Sequence, residues 1–142
     1  MDIIKIAIRS LKDELEATII YGRLARMYRH KPISKKLIKI AEMEERHVRF
    51  WSDFLRRRGY DPSRIKPSRL KITIYTFIFK IIGLGLSLKL LEASESSAIE
   101  VYTKLLESPD LGSDERKELY NILEDELVHE DEFIDEESKF KD

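Results

Sequence analysis

Residues 37–55 read LIKIAEMEERHVRFWSDFL, and the fold turns on how this stretch is laid out. Leu37, Ile40, Ala41, Val48, Trp51 and Leu55 recur at three- and four-residue spacing, the signature of one face of an amphipathic helix. Glu44 and His47 stand on that same apolar face. Glu-x-x-His puts a carboxylate and an imidazole one turn apart on the same side of a helix. Residues 119–133, LYNILEDELVHEDEF, repeat the arrangement, with Glu126 and His129 on the stripe of Leu119, Ile122, Leu123 and Phe133. One such motif is weak, because charged helices produce it often. Two on apolar faces are expensive unless cations neutralise the carboxylates.

The other long helical segments each bring a carboxylate of their own. In the first, Leu11, Leu15, Thr18, Tyr21, Gly22 and Ala25 form the apolar stripe, and Glu14 lies on its line. Glu16 shares a side with Lys12 and Arg23 and is expected at the surface. In the third, Glu92, Glu95, Ser96, Ile99, Tyr102 and Leu106 share a face, so both glutamates point inward. The two halves of the chain repeat one pattern, Glu-x6-Tyr followed by Glu-x-x-His. Glu14 pairs with Tyr21 and Glu95 with Tyr102, and the separations to the following motif are 30 (44 − 14) and 31 (126 − 95). Glu95 is thus the counterpart of Glu14, and Glu92 is an extra carboxylate one turn earlier. The pattern predicts a dinuclear metal site. Tyr21 and Tyr102 either hold a ligand carboxylate through their hydroxyls or are plain core aromatics. His30, outside any motif, is expected at the surface.

Length and composition agree with helices. The chain has 142 residues, enough for one domain, and is 42% hydrophobic and 37% charged with only 5 Gly and 4 Pro. It contains no cysteine, which excludes disulfides, thiolate metal sites and a cysteine nucleophile. Basic and acidic residues nearly cancel, at 26 and 27, so nothing global points to nucleic acid. The charged start, MDIIKIAIRSLKDELE, does not read as a secretory signal, and a cytoplasmic protein, or one at the cytoplasmic face of a membrane, is expected.

Periodicity predicts helices over 3–30, 34–58, 70–106 and 113–138, with Gly83 and Gly85 able to interrupt the third and Ser113 capping the last. Arg56, Arg57 and Arg58 before Gly59 form a helix stop signal and read as a solvated end, an anion site being the alternative. Residues 60–69 read as an extended connection, part of a long crossover between the second and third long helices. The apolar stretch 72–91 is long enough to span a bilayer, but Lys80 lies in its middle. A helix buried on most sides is expected instead, and its excess length suggests a homodimer or higher homo-oligomer, with helix exchange one route to it.

These residues resemble the rubrerythrin branch of the ferritin-like diiron-carboxylate proteins, in which two helices each give a Glu and two others each give Glu-x-x-His. EMEERHVRFW, LGLSLKLLEASE and LEDELVHEDEF are also similar to the ferritin-like domain that precedes the membrane part of some vacuolar-iron-transporter-type proteins. The resemblance implies an all-α four-helix bundle spanning 1–142, with the apolar segment as an extra helix. It implies two iron ions, or manganese or zinc in the same places, held by Glu14, Glu44, His47, Glu95, Glu126 and His129. Glu44 and Glu126 would bridge, each His would cap one iron, and Glu92 would be an additional or switching ligand. Rubrerythrins proper carry a four-cysteine electron-delivery module, and this sequence has none. Relatives often have a further carboxylate where this chain has Ala17. The implied activity is a ferroxidase or peroxidase acting on ferrous iron and peroxide or dioxygen, renewed by an external electron donor. The alternative is a non-enzymatic module that stores or delivers iron for a transporter or compartment. The acidic run from Glu124 to Glu137 would draw cations in, or is simply a solvated face.

Overall fold

The computed structural model describes the backbone of residues 2–139 and the side chains of residues 2–91, 93, 94 and 96–128. Within these residues the chain is all-α: α1 (Ile3–Met27), α2 (Ile33–Arg57), α3 (Arg69–Ile82), α4 (Leu84–Leu105) and α5 (Ser113–Lys139), with a 3-10 turn at Pro62–Arg64. It divides into two compact units, residues 2–77 and residues 78 onward.

The first unit is built on the α1–α2 hairpin. Asp2 starts α1, its carboxylate accepting from the backbone N–H groups of Ile4 and Lys5 at 3.1 and 3.2 Å. The turn into α2 is closed by Ser34, whose hydroxyl donates to the Ala25 carbonyl at 2.8 Å. The facing stripes meet through Ala7, Leu11, Tyr21, Leu24 and Ala25 of α1 and Leu37, Ile40, Trp51 and Leu55 of α2, all buried. Phe50, Trp51 and Phe54 add an aromatic cluster with tilted and edge-on rings 4.9 to 6.1 Å apart. Each large side chain buried in this way contributes about 1.5–3 kcal/mol.

α2 ends as its sequence dictates. Gly59 takes φ of +83°, the Tyr60 N–H donates to the Leu55 carbonyl and the Gly59 N–H to the Arg56 carbonyl, each at 3.0 Å. This is a Schellman end, which only a residue at ease with positive φ accommodates. Among the three arginines, Arg56 pairs with exposed Asp53 and Arg58 lies 3.6 Å from the Phe54 ring centroid. They serve the helix end.

Glu16 departs from the sequence expectation. It is 2% exposed, not at the surface, because residues at the start of α3 cover that side of α1. Its carboxylate accepts from the Ser68 N–H at 2.8 Å and from Lys71 Nζ at 3.1 Å, while the Ser68 hydroxyl accepts from the Lys71 N–H and caps α3. Burial alone would lower the Lys71 pKa; the bond to Glu16, with the charges of Glu16 and Asp13, raises it above 10.5.

In the second unit α4 packs on α5, burying Leu84, Leu88, Leu91, Leu105, Leu111, Leu119 and Ile122. The predicted long third helix is broken by Gly83, which has φ of +85° and takes the N-cap position of α4. The Ser87 hydroxyl satisfies the broken turn by donating to the Gly83 carbonyl at 2.6 Å and reaching the Phe79 carbonyl at 3.3 Å. Ser113 is the first helical residue of α5, not its cap. Gly112 precedes it, and Glu115 reaches back to accept from the Gly112 N–H at 3.0 Å, the carboxylate half of a capping box.

The apolar segment also differs from expectation. Ile72 and Phe79 are buried, but Leu70, Ile74, Phe77, Ile78 and Ile81 of α3 are exposed. α3 has 14 residues, and no helix among the described residues is long and apolar enough to cross a membrane.

Candidate metal centre

α1 and α2 bring Glu14, Glu44 and His47 together inside the first unit. They are 4%, 1% and 1% exposed, among the most buried charged or ionisable side chains of the hairpin. Glu44 and His47 share a face because they lie one turn apart on α2, and Glu14 faces them because it sits on the buried stripe of α1. His47 Nδ1 lies 3.4 Å from Glu44 Oε2 and 3.6 Å from Glu14 Oε2. One potential ligand atom from each residue falls within 4.8 Å of the others.

The donor set suits a hard or borderline dication. Separations of 3.4 and 3.6 Å exceed the 2.7–2.9 Å typical of a charge-assisted hydrogen bond. They match the spacing of donors that each lie about 2.0–2.2 Å from a shared ion. Two carboxylates beside an imidazole, out of reach of water, carry a desolvation penalty that a bound cation offsets. Oxygen donors with one nitrogen favour iron, manganese or zinc over soft, thiolate-seeking metals.

Three nearby groups set the surroundings. Thr18 donates its hydroxyl to the Glu14 carbonyl at 2.8 Å, turning its polar end back onto the α1 backbone. Tyr21, two turns along from Glu14, is buried, which both readings of it share. Trp51, one turn beyond His47, is fully buried and closes α2 on that side.

In the second unit, Glu126 of α5 is 1% exposed and Tyr102 of α4 is buried, in line with the repeat. Glu92 and Glu95 belong to α4 and His129 to α5, but their side chains lie outside the described residues. His30 is exposed, as expected.

The group missed from sequence was Glu16. Pro67-Ser68-Arg69 carries the signal of a helix start, with Ser68 as its cap, yet nothing local says that a carboxylate from α1 would meet it.

An all-α chain with a buried carboxylate–histidine cluster defines a ferritin-like helical protein with a candidate metal centre. The family model described as Rubrerythrin matches residues 2–137, and the chain belongs to the rubrerythrin family. Neither the curated proteins nor the solved structures yielded a match.

Proposed function

We propose that this protein is a non-haem diiron protein that oxidises ferrous iron, with hydrogen peroxide or dioxygen as oxidant. The observation that carries the reading is the buried group Glu14, Glu44 and His47, with ligand atoms within 4.8 Å. Membership of the rubrerythrin family makes iron the expected metal.

The sequence repeat supplies the remaining donors: Glu95, Glu126 and His129 as the matching set from the second half. Four carboxylates, Glu14, Glu44, Glu95 and Glu126, balance the charge of two ferrous ions, and Glu92 adds a fifth negative charge where the ferric state needs it. A bound ferrous pair supplies two electrons, enough to convert one hydrogen peroxide and two protons to two waters. His47 serves as a neutral donor, so its protonation opposes metal binding at acid pH. Tyr21 and the wall of Trp51, Phe50 and Phe54 keep the hairpin interior dry and hold the ligand-bearing turns in place.

These 142 residues contain no cysteine, so electrons reach the pair from ferrous iron itself or from an external donor. The test is stopped-flow addition of peroxide to the anaerobic, ferrous-loaded protein. Two irons oxidised per peroxide, with the rate lost in His47→Ala, supports the reading. Ferrous protein that stays unoxidised contradicts it.

The second reading is a non-enzymatic module that stores or delivers iron, favoured by the run from Glu124 to Glu137, which contains nine acidic residues and no Lys or Arg. Many more than two irons retained per chain after desalting would favour it.

A further inference from the structure

The segment from residue 62 to 91 contains Arg64, Lys66, Arg69, Lys71, Lys80 and Lys89 and no Asp or Glu, in a chain whose basic and acidic residues nearly cancel overall. Within it, α3 exposes Leu70, Ile74, Phe77 and Ile81, at i, i+4, i+7 and i+11. Leu70, Phe77 and Ile81 are 72%, 62% and 68% exposed, values unusual for large apolar side chains so closely spaced. At about 100° per residue these four fall in one narrow stripe along the helix. Ile72 and Phe79, both buried, lie on the opposite side.

The cations are placed with respect to that stripe. On the same helical wheel Arg69 and Lys80 fall on one flank of it, and Lys71, whose ammonium pairs with Glu16, falls on the other. An exposed apolar strip bordered by lysine and arginine is the arrangement of a helix lying in a membrane interface. Its apolar residues sink among the acyl chains, and its cations stay at the level of the headgroups. α3 is about 21 Å long, too short to span the hydrocarbon core but suited to lying along it.

We infer that α3 is a peripheral membrane-binding helix that docks the protein onto an anionic lipid surface. The charge pattern separates this occupant from a second copy of the chain. Two α3 helices pairing face to face would bring their flanking cations together, whereas anionic headgroups neutralise them. One face of a 14-residue helix also covers far less than the roughly 800 Å² per partner of a standard protein interface. The inference is independent of the metal centre.

The test is co-sedimentation of the full chain with vesicles of phosphatidylcholine alone and of phosphatidylcholine mixed with phosphatidylglycerol. Binding to the mixed vesicles only, weakened by salt and reduced about tenfold or more by Phe77→Glu with Ile81→Glu, is the expected result. Both substitutions fall on exposed positions, and unchanged helical circular dichroism verifies folding. Phe77→Trp supplies a second readout, with its emission shifting to the blue on mixed vesicles. Equal binding by the double variant, or no binding by the folded wild type, overturns the inference. So does a wild-type dimer that ignores vesicles and that Phe77→Glu converts to monomer.

Discussion

At the scale of single residues, Glu14 and Glu16 show what a helical wheel can and cannot resolve. Both are buried, but Glu14 meets His47, whereas Glu16 meets Ser68 and Lys71. The wheel placed Glu14 correctly because the neighbour it faces is the next helix in sequence. It missed Glu16 because the covering segment arrives more than fifty residues later. Glu16→Gln is therefore expected to leave metal binding intact while lowering stability by about 1–3 kcal/mol, read from urea denaturation. The Lys71 partner gives this contact a pH signature. A lysine whose pKa is raised on folding contributes stability that is fully present below its ordinary value of 10.5 and fades as pH rises through the higher folded value. The difference in thermal midpoint between wild type and Lys71→Met is expected to persist at neutral pH and to narrow above pH 10.5. A difference unchanged by alkali would show that the charge is not what matters.

At the scale of elements, the apolar periods gave α1, α2 and α5 to within a few residues, because each has one buried stripe and a local start or stop signal. The third predicted helix was harder. Its period runs on through Gly83 and Gly85, both able to interrupt it, and the positive φ of Gly83 shows which of the two does. Beyond its own chain neighbours no atom lies within 4 Å of where a Gly83 Cβ would be, so the barrier to a side chain there is conformational. Gly83→Ala is expected to cost about 1–2 kcal/mol by the same denaturation measurement. A neutral result would mean that the junction relaxes to a continuous helix. The start of α5 was legible as a position but not as a mechanism. Glu115, three residues in, reaches back to Gly112, and Glu115→Ala is expected to lower stability by about 0.5–2 kcal/mol.

At the scale of the whole molecule, the helical class and the repeated Glu-x6-Tyr and Glu-x-x-His pattern were readable because they are periodic. The exposure of α3 was not, since apolar residues with helical spacing read as core whether or not anything covers them. The same sequence thus supports two claims of different kinds: a buried charged cluster that needs a cation, and an exposed apolar strip bordered by cations. The first is central. Anaerobic titration with ferrous iron, followed by equilibrium dialysis, tests it most directly. Saturation at two irons per chain, falling to one or none in His47→Ala and unchanged in Glu16→Gln, is the predicted result. Weak binding without saturation, or a His47→Ala variant that still takes two irons, would contradict the account.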